Sequence, residues 1–329
     1  MIDRTIFTKI KEAIKTYPVT VVTGARQVGK STEVYKFAKD GSFKYVSLDN
    51  IDERRLAIND PRYFIEVHGY PLIIDEVQYA PVLMEVIEEI VNQRRLENKE
   101  SNGLFILTGS QAFKLMKGVS QSMAGRAAVL HMEPLSFCEI AKKEERPFVP
   151  SKQMLYSSSD NHSISDLYKQ IIKGFYPEIY NNPALNSETF YSRYVSTYVD
   201  RDLNDILEVR NKSQFHDFMS ALASLTGQQL NVSTISRAIG VSVPTIREWL
   251  SALEASGLIY FLRSYSETSL IKRITKSPKI YFADTGLCAY LLHISDPATL
   301  EKSIFAGAFM ETYVMNEIRK SYLNNDKVF

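Results

Sequence analysis

Pro18-Val19-Thr20-Val21-Val22-Thr23-Gly24-Ala25-Arg26-Gln27-Val28-Gly29-Lys30-Ser31 decides the reading of this chain. Residues 19–23 are all β-branched and run into a glycine, the pattern of a short buried strand. Residues 24–31 then satisfy GxxxxGK[ST] in full, and a helical pattern begins at Ser31. Glycines let the backbone turn so that successive N–H groups face phosphate oxygens, and the helix N-terminus adds partial positive charge. Such an octapeptide arises by chance in roughly one to three per cent of chains of this length, so the strand before it and the helix after it carry the argument. The expected polyphosphate-holding residues are Gly24, Ala25, Arg26, Gln27, Val28, Gly29, Lys30, Ser31 and Thr32. Lys30 is expected to reach the β and γ phosphates, and Ser31 to ligate Mg²⁺.

Outward from the loop, strands are predicted at Phe43 to Leu48, Pro71 to Ile74 and Leu104 to Thr108, with a charged helix from Pro81 to Leu96. Strands alternating with helices predict a covered, mostly parallel sheet. Leu72-Ile73-Ile74-Asp75-Glu76 is an apolar strand ending in two acids, the Walker B pattern. Adjacent carboxylates at a strand end are costly without a cation near them, so Asp75 is expected to hold Mg²⁺ through water and Glu76 to polarise the attacking water. Phe105-Ile106-Leu107 ends in Thr108-Gly109-Ser110, which brings the hydroxyls of Thr108 and Ser110 to the same sheet edge as candidates for positioning that water. Arg126, in Met123-Ala124-Gly125-Arg126, is the candidate guanidinium for charge developing on the γ-phosphate. If Arg126 serves a neighbouring copy's nucleotide, hydrolysis requires a homo-oligomer. A GTPase would need NKxD for guanine, whereas the nearest string, Asn98-Lys99-Glu100-Ser101, lacks the aspartate, so ATP is the expected nucleotide.

The bulk numbers fit this reading. With 39 Lys plus Arg against 38 Asp plus Glu in 329 residues, no global field marks a nucleic-acid or membrane-surface binder. Two distant cysteines, Cys138 and Cys288, give neither a disulfide framework nor a zinc site, which suits a reducing, cytoplasmic setting. No run approaches the roughly 18 apolar residues of a membrane span. From Glu145 to Asp166 the chain is rich in Ser, Pro and Asp, which predicts a connector.

Beyond that connector, helical periodicity dominates to Gly257. Residues 231–250 read as helix, glycine-containing turn and second helix, the pattern of a winged helix-turn-helix. The second helix carries Arg247 against Glu248 and Glu254, poor chemistry for approaching phosphates. The following ribbon holds Arg263, Lys272, Arg273, Lys276 and Lys279 against Glu267 alone, so weakly specific DNA contact would run through this wing. A helix over Ser187 to Val209 carries Tyr194, Tyr198, Asp200, Arg201 and Asp202, for which a structural role is expected.

Read together, GARQVGKS, LIIDEVQYAP, FILTGSQAFKLM, MAGRAAVLHMEPLSFCEI, GFYPEIY, YVSTYVDRDL, VSVPTIREWLSALEASGLIYFL and KSPKIYFADTGLCAYLL resemble the AAA+ ATPases of bacteria and archaea that carry a C-terminal domain of unknown function, DUF4143. The resemblance covers nearly the whole chain. It implies an α/β fold, an AAA+ (ASCE-type) P-loop NTPase parallel-sheet domain followed by a mostly helical region with a winged helix and an incomplete α/β C-terminal part. The strand ending at Thr108 would lie between the P-loop and Walker B strands, and the roles of Glu76 and Arg126 gain support. The implied organisation is an ATPase domain over 1–145, a linker over 146–165, a helical and winged-helix region over 166–280, and the start of a nuclease-like fold over 281–329. In that pattern an acid such as Glu311 is joined by acidic and lysine positions beyond residue 329, so the chain is expected to be truncated relative to it, without nuclease activity. The expected function is Mg²⁺-dependent ATP hydrolysis coupled to movement of the helical half. The alternative is a nucleotide-regulated DNA- or protein-binding module with little turnover.

Overall fold

The structure, a computed structural model, describes residues 2–109, 123–151, 163–197, 211–265 and 277–329. The chain divides into two compact units, one of Met1–Glu133, Cys138–Arg146 and Tyr322–Phe329, the other of Pro134–Phe137 and Pro147–Ser321. Among the described residues no helix is long and apolar enough to cross a membrane.

The first unit is built on a five-stranded sheet of β1 (Val19–Thr23), β2 (Lys44–Ser47), β3 (Leu72–Asp75), β4 (Phe105–Gly109) and β5 (Ala127–His131), in the order β2-β3-β4-β1-β5. Every neighbouring pair is parallel. As the family resemblance implies, the strand ending near Thr108 lies between the phosphate-loop strand and the Walker B strand. β1, β3 and β4 are buried at every position, which is why their sequences run apolar without alternation. Val21, Leu72, Ile74, Phe105 and Leu107 are fully buried in one core, each such side chain contributing about 1.5–3 kcal/mol.

Helices cover the sheet: α1 (Ile6–Thr16), α2 (Lys30–Lys39), α3 (Ile51–Asn59), α4 (Pro61–His68) and α5 (Leu83–Leu96). The helices α3 and α4 escape the periodicity reading because each is short. Local chemistry nonetheless specifies them, since Asn50 caps α3 through Asp52 N and Glu53 N, and Asp60 caps α4 with Pro61 in its first turn. A single turn of helix, α6 (Phe137–Ile140), follows β5.

The second unit is mostly helical: α7 (Ile164–Lys173), α8 (Pro177–Asn181), α9 (Ser187–Tyr194), α10 (Lys212–Ser224), α11 (Val232–Ile239), α12 (Val243–Ala255), α13 (Thr285–Leu291), α14 (Pro297–Lys302) and α15 (Ala306–Leu323). It also holds a three-stranded antiparallel sheet of β6 (Gln228–Gln229), β8 (Lys279–Phe282) and β7 (Ile259–Leu262), in that order. Of the helix predicted over Ser187 to Val209, the structure shows α9, and residues 198–210, with Tyr198, Asp200, Arg201 and Asp202, lie outside the described residues. α11 ends at Gly240, whose φ of 71° relieves the last turn, and Ser242 caps α12. Asp284 joins three segments: its carboxylate accepts from Phe175 N (2.7 Å), Tyr191 OH (2.7 Å) and Leu287 N (2.8 Å).

Trp249, the sole tryptophan, is a core residue, with Phe215 edge-on at 5.1 Å and Phe218 at 5.2 Å between ring centroids. Trp249→Ala is expected to cost the second unit about 3–5 kcal/mol, read by urea denaturation followed by circular dichroism. A midpoint unchanged from the parent protein would contradict this packing.

Candidate active site

The loop between β1 and α2 adopts the backbone that an anion cradle needs. Gly24, Gln27 and Gly29 have φ of 143°, 61° and 99°, which turns successive N–H groups inward. Gly24 is confined by its neighbour as well as by its dihedral, because a Cβ there would lie 2.1 Å from the carbonyl oxygen of Met132, just after β5. The helix α2 starts at Lys30 itself.

Lys30 is buried, and its Nζ donates to the carbonyl oxygens of Gly24 (3.0 Å) and Ala25 (2.7 Å). Burial pulls its pKa down to about 8, against the raising influence of Glu76 and Asp75. Beside it, Asp75 ends β3 with its carboxylate as the hub of a hydroxyl network. Oδ1 accepts from Ser31 Oγ at 2.9 Å and from Thr108 Oγ1, and Oδ2 accepts from Tyr45 OH at 2.7 Å. These donors come from α2, β4 and β2, so the parallel strand order is what brings them together. Burial, followed by the bond to Asp75, pushes the Tyr45 phenol up, so it stays a neutral donor.

Glu76 follows with φ 57°. Its N–H donates to Thr108 Oγ1 at 3.3 Å, and its Oε2 accepts from the Gln78 amide. Asp49 completes an acidic rim, its pKa raised by burial and by the charges of Glu76 and Asp75. Hydroxyl and carboxylate oxygens of this kind suit Mg²⁺, which keeps several waters and takes one or two protein ligands plus phosphate oxygens. Ser31 and Asp75, already within hydrogen-bond distance, are the pair that would hold it.

The structure thus gathers Lys30, Ser31, Asp75, Glu76 and Thr108. It does not bring Arg126 to them. Arg126 immediately precedes β5, and its carbonyl accepts from Val19 N, at the start of β1. The phosphate loop leaves the other end of β1, one strand length or roughly 15 Å away. The guanidinium is held on α5, with Nε donating to Asn92 Oδ1 (2.8 Å) and Nη1 lying 3.3 Å from Glu88 Oε1. Ser110 lies outside the described residues. Sequence reasoning missed Tyr45 and Gln78, since one tyrosine in a β-branched strand and one glutamine after two acids carry no spacing signal of their own.

Of the basic positions expected to meet DNA, Lys272, Arg273 and Lys276 lie outside the described residues, and Arg263 is exposed. Lys279 is engaged within its own unit: Nζ sits 2.7 Å from Glu311 Oε1, which also accepts from Tyr281 OH at 2.6 Å.

Residues 16–141 match the family model described as AAA domain. Residues 164–298 match a domain of unknown function, DUF8612, rather than the DUF4143 expected for this part. An uncharacterized protein of Mycobacterium tuberculosis is 25% identical over 311 residues, covering 94% of this chain and 64% of its own length. An uncharacterized protein of Methanocaldococcus jannaschii is 24% identical over 333 residues, covering 94% and 69%. The chain therefore spans less than two thirds of the mycobacterial relative. Among solved structures, a Walker-type ATPase of Pyrococcus abyssi aligns over 88% of this chain and 96% of its own, at 14% identity and a TM-score of 0.47.

Two measurements check the site. An unfolded lysine titrates near 10.5 and the buried Lys30 near 8, so between those values the unfolded chain binds more protons. Lys30 therefore makes the nucleotide-free protein more stable as pH rises from 8 toward 10.5. Polyphosphate beside Lys30 restores its proton, so ATP binding at about pH 8.5 is expected to take up protons. Calorimetry in buffers of different ionisation enthalpy reads this, and identical heats in all buffers would contradict it. Tyr45→Phe is expected to raise the Mg²⁺ concentration needed for half-maximal nucleotide binding by roughly tenfold, the usual scale for a residue that orients a metal ligand. The strand order and the loop give the first unit the parallel-sheet α/β fold of a P-loop NTPase, and residues 16–141 within it match the AAA domain.

Proposed function

We propose that the protein binds Mg·ATP on residues 24–32, hydrolyses it, and couples its nucleotide state to movement of the helical unit. The observation that carries the reading is the convergence of the Ser31 hydroxyl, the Asp75 carboxylate and the Thr108 hydroxyl beside a buried Lys30. Magnesium, when bound, would neutralise phosphate charge and orient the transferring group. Lys30 leaves the carbonyls of Gly24 and Ala25 for phosphate oxygens. Glu76, with one carboxylate oxygen held by Gln78, polarises water for attack on the γ-phosphorus as ADP departs, and Thr108 helps to fix the position of Glu76. Because Arg126 stands at the far end of its own sheet, its guanidinium would serve the nucleotide of a neighbouring copy after release from Glu88 and Asn92. That requirement makes a homo-oligomer the active form. Conformational coupling follows the general logic of order changes driven by the γ-phosphate.

A second reading, nucleotide-regulated docking on DNA with little turnover, draws on α11 and α12 followed by the antiparallel pair β7–β8, the arrangement of a winged helix. The pairing of Lys279 with Glu311 weakens it by removing one phosphate-facing cation.

Steady-state turnover by the wild type, by Lys30→Ala and by Glu76→Gln decides the main reading. Both variants should lose nearly all activity, while Glu76→Gln still binds ATP. Undetectable turnover in the wild type, or full activity in both variants, refutes hydrolysis at this site. Arg126→Ala should lower turnover by roughly 10³-fold or more. Mixing it with Lys30→Ala should restore part of the activity, since an oligomer then holds sites with an intact loop and a partner's intact arginine. No recovery on mixing would argue against action between subunits. DNA binding that falls steeply between about 50 and 200 mM salt, with tight ATP binding and no turnover, would favour the second reading.

A further inference from the structure

The segment before α1 carries a buried cation that the nucleotide chemistry does not use. Arg4 is 6% exposed, and its guanidinium spends each nitrogen on a different stretch of chain. Nε donates to Glu139 Oε1 at 3.0 Å, Nη1 to the Val28 carbonyl at 2.6 Å, and Nη2 to the Glu133 carbonyl at 2.6 Å. Glu139 is in turn fixed by the Thr5 N–H at 2.8 Å. Val28 lies within the phosphate loop, and Glu133 is two residues beyond β5.

We propose that Arg4 is a positioning residue for the phosphate loop, holding the Val28 carbonyl so that the Gly29 N–H faces the bound polyphosphate. The inference rests on the reading of residues 24–32 as a nucleotide cradle. In a trans peptide the C=O and the following N–H point in opposite directions. Of the described peptide bonds only Tyr70–Pro71 is cis, so the Val28–Gly29 bond obeys this rule. A guanidinium pulling the Val28 oxygen one way turns the Gly29 N–H the other way, into the cradle. Gly29, at φ 99°, has the freest backbone of the pair and gains most from an external hold. The planar fork suits the task because its three nitrogens diverge at fixed angles, whereas a lysine ammonium is a single point of charge. A buried ion pair adds little stability compared with apolar side chains of similar volume, so the geometry it imposes is the property to test.

The test uses the full chain, with hydrogen exchange on the nucleotide-free protein and calorimetric titration with ATP and ADP. Arg4→Lys keeps the charge opposite Glu139 but cannot serve both carbonyls. Exchange at Gly29 and Lys30 should accelerate severalfold, with strand amides unchanged. ATP and ADP affinity should both weaken by roughly tenfold. Turnover at saturating ATP should change less than about twofold, because binding before and during reaction is lost equally. The double variant Arg4→Met with Glu139→Leu replaces the ion pair by apolar groups. It should melt near the wild-type temperature and show the same local acceleration. Unchanged loop exchange in both variants, or acceleration spread evenly over the whole sheet, overturns the proposal. A wild type that binds no nucleotide refutes the nucleotide reading instead, and the exchange measurement still judges Arg4 on its own.

Discussion

One carboxylate organises the candidate site. Asp75 accepts hydrogen bonds from a helix start, an edge strand and a central strand, and it can do so only because parallel pairing carries β3 and β4 out of the core at the same edge as β1. An ionised carboxylate with 4% exposure is unfavourable alone. Three hydroxyls lower that cost in the free protein, and the same oxygens are the natural ligands of a hard divalent cation. The network that steadies the fold therefore has the composition that the proposed chemistry needs.

Around this hub the backbone is specialised in ways that side chains alone would not accomplish. The loop turns through positive φ at Gly24, Gln27 and Gly29, and Glu76 is itself left-handed, which re-aims its carboxylate relative to Asp75. Each is a conformation that the surrounding packing has to hold. For the loop, that packing includes Met132, just after β5, and the buried guanidinium of Arg4.

What the sequence made legible divides along the same line. Strand-to-helix punctuation at Gly24 to Ser31 and the acid pair after Leu72-Ile73-Ile74 are local signals, and they located the loop and the Walker strand, whereas the place of the strand ending at Thr108 between them came from the resemblance to AAA+ ATPases. Tyr45, Gln78 and Arg4 were illegible because their meaning is tertiary: each contributes a donor whose acceptor lies elsewhere in the chain or depends on an unusual backbone turn. Arg126 is the intermediate case. Its motif was visible, but only the sheet direction revealed that it stands beyond reach of its own loop. Lys279 teaches the same lesson for the basic ribbon, since a count of cations does not report that Glu311 neutralises one of them.

In the free protein the loop folds onto its own lysine, with two main-chain oxygens occupying the ammonium that a phosphate would claim. On the proposed reading, loading would be a ligand exchange, in which phosphate oxygens replace these two carbonyls at Nζ. The loop itself would then set the threshold that an incoming polyphosphate has to exceed.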